Sequence, residues 1–168
     1  MYEFVIRPPV VILIAATVIA LAGAIAVVAR KDRGTSTWVG LGVAVVAAFA
    51  IIAFLYRPVT IRVDQDAVSI LGPGGAVLPW EEVTSAVYAA DLRNSPWRPT
   101  VRTSGIALGD YRSGRFLLSN GRSARVFTEQ TISAVIIQTA DAVFLIAPHQ
   151  VIRLRDAVDV SRTIHQSP

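Results

Sequence analysis

The chain has 168 residues, of which 53% are hydrophobic, and its formal net charge is +4. It contains no cysteine, which excludes disulfide bonds, thiol catalysis, thiolate metal sites and a lipoprotein anchor. A typical soluble domain is about 45–50% apolar, and here the excess of apolar residues lies in the first third of the sequence.

After a short amphiphilic lead, two long uncharged runs occupy this first third. Residues 10–29 and 38–56 contain no Asp, Glu, Lys or Arg, and a helix of about 20 apolar residues spans the hydrocarbon core of a bilayer. The first run is longer than the ~7–15-residue core of a signal peptide, which favours a retained helix. The sequence therefore predicts a transmembrane helical hairpin in residues 1–56 and one polar domain in residues 57–168.

From residue 59 onward apolar and polar residues alternate, which is the period of β-strands. The predicted strands that share this alternation cover residues 59–63, 67–71, 76–78 and 84–89. A bend is predicted at residues 79–83. A loop is predicted from residue 91 to about residue 104, because prolines and small polar residues accumulate there.

The strongest hairpin signal is Asn120-Gly121 between two apolar runs. A two-residue loop would place Phe116 opposite Arg125. A loop with an odd number of residues and a Gly bulge instead places one apolar set on a single face, and burial favours that register. This set is Phe116, Leu118, Ala124 and Val126.

A last hairpin is predicted from residues 134–139 and 142–147, and Pro148 is suited to begin a terminal helix. The polar domain is therefore expected to contain about seven short antiparallel strands and one helix. Its predicted core consists of Ile61, Val63, Ile70, Trp80, Val87, Phe116, Leu118, Val126, Ile136, Phe144, Ile146, Val151, Leu154 and Val158.

Three segments of this domain carry a resemblance to a known family. They are LPWEEV at residues 78–83, TSGIALGDYRSGRFLL at residues 103–118, and the closing strands IIQT and VFLIAP before a helix. The chain resembles the bacterial pleckstrin-homology-like (PH-like) domains that are fused to membrane helices, a family largely of unknown function. The resemblance implies an α+β membrane protein, in which a transmembrane helical hairpin precedes a PH-like antiparallel barrel or sandwich of about seven strands with a C-terminal helix.

The charges beside the two apolar runs leave their orientation nearly undecided. Arg30, Lys31 and Arg33 lie between the runs, whereas Arg7, Arg57 and Arg62 lie on the opposite side. Binding modules of the PH-like type usually meet their partners inside the cell. We therefore expect a multi-pass protein of the plasma membrane with its PH-like domain in the cytoplasm.

The sequence offers no recognisable catalytic or metal-binding set. His149 and His165 lack the Ser or carboxylate spacing of a triad or a metal site, so we expect no enzyme activity, no cofactor and no metal. Asp64 and Asp66 suit a tight turn between strands. Since eukaryotic PH domains bind phosphoinositides with basic residues around the first strand turn, these two acids disfavour that mode of binding.

Positive charge is concentrated in the middle of the chain. Between positions 93 and 125 there are seven arginines and a single acidic residue, Asp110. They are Arg93, Arg98, Arg102, Arg112, Arg115, Arg122 and Arg125. The cluster reflects either the amino-acid composition of a GC-rich genome or a basic binding face. Nucleic acid is not expected as a partner, because no platform of several aromatic side chains accompanies the arginines.

These observations predict a membrane-anchored, non-catalytic binding or scaffold module that engages a membrane or membrane-proximal protein. Trp and Arg contribute strongly to protein interfaces, and the candidate partner-binding residues are Trp97, Arg93, Arg98, Arg102 and Arg112. In one alternative Trp97 packs back onto the domain. A second alternative is a sensor of anionic lipid or polyanion that uses the Arg93–Arg125 face, and a third is an unrecognised enzyme.

Overall fold

The computed structural model describes residues 1–9 and 57–166, together with the helical positions 14, 17, 18, 22, 23, 45–47 and 50. The chain forms two compact units, one of residues 1–7 with 58–168 and one of residues 8–57. The first unit is mostly β-sheet and carries one C-terminal helix.

The predicted transmembrane hairpin is corrected by this structure. Crossing a bilayer takes about 20 consecutive apolar helical residues, and within the described residues no helix is long and apolar enough to do so. The membrane part of the predicted fold class is therefore wrong, and the predicted multi-pass localisation is wrong on the same finding. Most of the predicted spans, residues 10–29 and 38–56, lie outside the described residues.

Residues 1–9 and 57–166 form ten strands, one 3-10 turn at Trp80–Glu82 and one long helix. The strands are β1 (Tyr2–Ile6), β2 (Val59–Val63), β3 (Ala67–Leu71), β4 (Ala76–Pro79), β5 (Val83–Ala89), β6 (Pro99–Leu108), β7 (Tyr111–Leu118), β8 (Ser123–Thr128), β9 (Ala134–Thr139) and β10 (Val143–Ala147). The helix is α1 (Val151–Gln166).

The strands form two sheets. The four-stranded sheet has the order β1-β2-β3-β4, and the six-stranded sheet has the order β5-β9-β10-β8-β7-β6. All neighbours are antiparallel except β8 and β10, which run parallel. Strand β1 was not predicted, although Phe4 and Ile6 alternate with polar or exposed residues and are buried.

The local strand predictions that rest on clear alternation are confirmed. Strands β2 and β3 have the predicted bounds. The β7–β8 hairpin has a three-residue loop, in which the Leu118 N–H donates to the Arg122 carbonyl at 2.8 Å and Gly121 has a φ of 81°. Phe116 consequently pairs with Ala124, as the burial argument predicted.

Strand β6 is the principal error of the sequence prediction, which placed a loop up to about residue 104. This strand lies at an edge of its sheet, and most of its residues are exposed on both faces. Because neither face is buried, its sequence lacks the apolar alternation on which the prediction depends. The described residues form ten strands, among them the unpredicted β1 and β6, where about seven were predicted.

Two apolar clusters form the core. The inner cluster joins the four-stranded sheet, the 3-10 turn and helix α1 to one face of the six-stranded sheet, for example through Ile61, Ile137 and Leu154. The outer cluster lies on the opposite face of the six-stranded sheet and includes Phe116 and Leu145. Strands β9 and β10 are therefore buried on both faces.

The predicted core is confirmed with one exception. Val87 is 39% exposed, whereas the other predicted core residues are buried. Val87 lies on the edge strand β5, where Ala86 and Tyr88 pack against the inner cluster. Because side chains alternate along a strand, Val87 points to the opposite, open face.

The ladder between β6 and β7 passes through a pair of facing glycines, Gly105 and Gly114. Their φ angles are 95° and 141°, which L side chains rarely adopt. A Cβ atom on Gly105 would lie 2.2 Å from the Ser113 carbonyl oxygen. This close approach explains why the glycine-rich motif has no side chain at these two positions.

Candidate functional site

A basic cleft lies where the loop of residues 90–98 meets the start of β6. It has a volume of about 490 Å³, and its charged lining consists of Arg93, Arg98, Arg112 and Asp110. The remaining lining comes from Leu92, Pro99, Thr100 and Thr131. The structure thus brings three of the predicted binding residues together in one depression.

The loop of residues 90–98 is held to the domain by its backbone. The Leu92 N–H donates to the Ile132 carbonyl at 2.7 Å, and the Leu92 side chain is buried in the outer cluster. At the other end of the loop, the Ser119 N–H donates to the Arg98 carbonyl at 2.9 Å, and the Asn120 N–H donates to the Pro96 carbonyl at 3.1 Å. The cleft wall is therefore formed before any ligand binds, which lowers the entropy cost of binding.

Asp91 organises the first turn of this loop. Its carboxylate accepts the Asn94 side-chain N–H at 2.7 Å and the backbone N–H groups of Arg93 and Asn94 at 3.1 and 3.3 Å. Chiefly through the bond from the Asn94 side chain, these contacts lower the pKa of Asp91 below its usual 3.8 because they favour the charged form. Asp91 therefore stabilises the loop as a carboxylate.

The guanidinium groups of the cleft differ in how they are held. Arg112 Nη1 donates to the Pro99 carbonyl at 3.2 Å, which directs this group towards the start of β6. Arg93 and Arg98 are exposed, and within the described residues neither guanidinium makes a hydrogen bond or an ion pair. The charge of Arg93 nevertheless contributes to the lowered pKa of Asp91. Asp110 accepts the Thr131 hydroxyl at 2.9 Å, so the one carboxylate of the lining already has a hydrogen-bond donor.

Arg102 extends the positive charge along β6 without lining the cleft. It pairs with Phe116 of β7, and cross-strand partners share a face of the sheet. Arg112 lies four residues before Phe116 on the same strand, so it lies on that face too. Arg102 on β6 and Arg112 on β7 therefore lie on the same face of the sheet, the one that carries the outer cluster.

Trp97 does not line the cleft. It is half-buried and packs against the outer cluster, and its backbone N–H donates to Ser95 Oγ at 3.0 Å. This position matches the alternative in which Trp97 packs back onto the domain. Its role as a partner-binding residue stays a prediction.

Arg122 and Arg125 do not extend the cleft into one continuous face. Arg125 Nη1 lies 3.3 Å from the Gly75 carbonyl oxygen, and its guanidinium lies 5.5 Å from the centre of the Phe144 ring. Arg122 Nη1 donates to Gln138 Oε1 at 2.7 Å. These two side chains stabilise other parts of the domain.

Sequence reasoning missed Leu92 and Thr131 as parts of the site. Leu92 gave a usable signal, because it and Trp97 are the only large apolar residues of the loop of residues 90–98. Thr131 gave no signal in the sequence, since its place in the cleft depends on the tertiary contact of the β8–β9 connection with Asp110 in the β6–β7 turn. In the described part of the chain, no group of three or more His, Cys, Asp or Glu residues could hold a metal ion.

Comparison with known proteins identifies one family. Residues 60–161 match the family described as Bacterial PH domain. The matched range runs from β2 into α1 and includes the whole lining of the cleft. It confirms the PH-like part of the resemblance, whereas the N-terminal transmembrane hairpin is not supported. No curated protein and no solved structure matches the chain.

Proposed function

Because the chain belongs to the bacterial PH domain family, and PH-like domains are generally non-catalytic binding modules, we propose that it binds a protein partner at its basic cleft. The observation that carries this proposal is the convergence of Arg93, Arg98 and Arg112 on one preformed depression. Arg102 and Trp97 do not line the cleft, and we include them as further candidate contacts because they lie close in sequence to its lining residues Arg98 and Thr100.

The chemistry of the cleft suits carboxylate groups on the partner. A guanidinium presents donors in a fixed fork that matches a carboxylate, and it is more weakly hydrated than an ammonium group. Arg93 and Arg98 have this donor capacity available. The loop is already fixed by its hydrogen bonds to Ile132 and Ser119, so little additional order is needed when the partner binds.

A distributed contact with anionic lipid has less support. Such a contact is the sum of small attractions from many basic residues that face the same surface. Arg122 and Arg125 make contacts within the domain instead, which leaves a local cluster of positive charge. A local cluster with a rigid wall is better suited to a partner of defined shape.

The test is affinity capture with the full-length chain, followed by quantitative identification of the retained proteins. The Arg93→Gln/Arg98→Gln variant removes two charges of the cleft lining. The matched control is Arg62→Gln/Arg153→Gln, which removes two charges on β2 and α1. We expect a protein that wild type and control retain to be lost from the site variant.

Two results would contradict this proposal. In the first, the site variant retains the same proteins as the control. In the second, its only defect is weaker binding to vesicles that contain anionic lipid, and this defect disappears at high salt because charge screening removes it. Each variant is first checked for an unchanged unfolding transition, so that a binding loss is not a folding loss.

A further inference from the structure

Strand β5 ends the six-stranded sheet on the side opposite β6. It pairs with β9, and among the described strands none lies beyond it. In the described part of the chain, no backbone hydrogen bond outside the β5–β9 ladder involves residues 84–89. Helix α1 packs over the inner face of the sheet, where Leu154 shares a cluster with Ile137 of β9. The outward N–H and C=O groups of β5 can therefore pair with another strand.

The other three edge strands carry features that oppose pairing, whereas most of β5 does not. Proteins protect edges with charge, proline and bulges. Strand β1 contains Glu3, β4 ends at Pro79, and β6 begins at Pro99. Strand β5 contains neither a charged residue nor a proline, and its register shift lies before Ser85. Residues 85–89 pair with β9 in unbroken register, so they form an unprotected edge.

This regular segment of residues 85–89 fixes the register in which it could pair with its own copy. Two identical surfaces meet about a two-fold axis, which makes the two strands antiparallel. Pairing along the whole segment places the axis at its middle residue, Val87, which then faces its copy. No facing pair contains a charge, because the segment has none. Like-charge repulsion, which opposes the pairing of many edges, is therefore absent here.

Val87 gains most from such a pair. Its side chain is 39% exposed and lies on the open face of the sheet edge. Facing β-branched side chains lie close across a strand pair and stabilise it, so each copy would remove the Val87 side chain of the other from water. On the inner face, the Arg155 guanidinium lies 5.2 Å from the centre of the Tyr88 ring. This contact orders the edge before it pairs, which lowers the entropy cost of association.

The charges beyond the two ends of β5 favour an antiparallel copy as the occupant. Glu81 and Glu82 are exposed in the 3-10 turn that precedes β5. The loop of residues 90–98 that follows β5 has two exposed arginines and one acid. This acid is Asp91, whose carboxylate already accepts three N–H groups. Antiparallel pairing brings the acidic end of each copy beside the basic end of the other, and the two-fold axis repeats this match at both ends.

We propose that residues 85–89 of β5 form a two-fold interface with a second copy of the chain, which joins the two six-stranded sheets edge to edge. Main-chain hydrogen bonds supply most of the affinity in this mode. Each copy contributes little more than one strand, so the interface is of the small class that gives weak, reversible association. The inference does not rest on the proposed function, since no residue of β5 lines the basic cleft.

The first test is sedimentation equilibrium of the full-length chain over a range of about 1 to 200 µM, where we expect the mass to rise from one chain to two with a Kd on the order of 10 µM. Val87→Lys should weaken this association at least about tenfold, because two like charges then face each other at the axis. The matched control is Val101→Lys, which places the same charge at an exposed valine of the other edge strand, β6. We expect the control to associate as wild type does.

A mixture of two variants tests the register. Val87→Glu alone should associate as poorly as Val87→Lys, for the same reason. When the two variants are mixed in equal amounts, the dimer should return, because unlike charges then face each other across the axis. This rescue requires that residue 87 of one copy faces residue 87 of the other.

Hydrogen exchange tests the strand itself on the wild-type chain, so it does not depend on how stable the variants are. When the concentration rises through the Kd, exchange should slow at alternate amides within residues 85–89, namely those that point away from β9. The amides that point towards β9 should exchange at an unchanged rate, because their hydrogen bonds are present in a single copy.

Three results would overturn the β5 interface. In the first, the wild-type mass stays at one chain throughout the concentration range. In the second, Val87→Lys and Val101→Lys associate alike, which would assign any dimer to another surface. In the third, the β5 amides exchange at the same rate at low and high concentration. None of these results bears on the basic cleft, whose proposed function fails only if the Arg93→Gln/Arg98→Gln variant loses no captured protein.

Discussion

At the centre of the six-stranded sheet, in β9 and β10, both faces are buried, but by different parts of the chain. The inner face packs against the four-stranded sheet and helix α1, which are regular elements. The loop of residues 90–98 contributes Leu92 and Trp97 to the packing on the outer face. The same loop carries Arg93 and Arg98 on its exposed side. One loop therefore both completes part of the core and forms one wall of the basic cleft.

The largest expected effect comes from removing a large side chain of the outer cluster. Phe116 is 3% exposed, and truncating a buried Phe to Ala typically costs ~3–5 kcal/mol. Phe116→Ala should therefore lower the free energy of unfolding by about this amount, measured by urea denaturation. Phe127→Ala, on the inner face of β8, is the matched variant. An unchanged midpoint for Phe116→Ala beside a lowered one for Phe127→Ala would show that the outer cluster is not part of the cooperative core.

The sequence could predict the strands that have one buried and one exposed face, and the hairpin that has a clear turn signal. Strands β2 and β3 alternate strictly between buried and less buried residues, so period two was enough to fix their bounds and faces. The β7–β8 hairpin was predictable because Asn120-Gly121 marks the turn and Phe116 fixes the register. These signals are local, and a single sequence contains them.

Other elements lack such signals for opposite physical reasons. Strand β10 is buried on both faces. Its continuous apolar run predicts a strand, but it does not predict which side chains pack in the inner cluster and which in the outer cluster. Strand β6 is exposed on both faces and therefore looks like a loop. Strand β1 finds its partner β2 more than fifty residues later, and the intervening apolar runs led to the membrane interpretation that the structure corrects.

The sequence predicted which arginines could belong to the candidate site, but not how they are arranged in space. The sequence gives Arg93, Arg98 and Arg112 as part of one basic stretch. Only the tertiary structure places them in one cleft, because the contact between Leu92 and Ile132 joins residues that are far apart in the chain. In the tertiary structure Arg125 is not part of this cleft, because its side chain contacts Gly75 and Phe144 instead.

A smaller effect is expected at Trp97, which tests whether the loop's core role and binding role are separable. Trp97 is half-buried, so Trp97→Ala should cost about 2 kcal/mol, roughly half the value of a fully buried aromatic. The domain should stay folded, while capture of the partner falls because the exposed part of the ring is lost. Trp97→Phe, which keeps most of the buried area, is the control for stability. Unchanged capture by a folded Trp97→Ala variant would assign this residue to packing alone.

The smallest expected effect concerns the hydrogen bonds that shape the polar side of the loop. The side chain of Asn94 is the main cause of the lowered pKa of Asp91, so Asn94→Ala should raise that pKa towards its usual 3.8. A carboxylate whose pKa is lower in the folded state stabilises the fold above its unfolded pKa, and this contribution disappears as the pH falls through the folded value. The variant should therefore lose less stability than wild type as the pH falls below about 4.

This last change is best followed by the carbon chemical shift of the Asp91 carboxyl group during an acid titration of the full-length chain. Asn120→Ala is the matched control, since Asn120 accepts the Arg122 N–H in the neighbouring β7–β8 loop and does not contact Asp91. We expect the control to leave the Asp91 titration where it is in wild type. If Asn94→Ala and Asn120→Ala titrate alike, the Asp91 turn does not hold the loop in solution. The conformation of the cleft wall would then be fixed by the buried Leu92 side chain and by the backbone hydrogen bonds to Ile132 and Ser119. The hydrogen bonds of Asp91 would follow from that packing and would not themselves hold the loop.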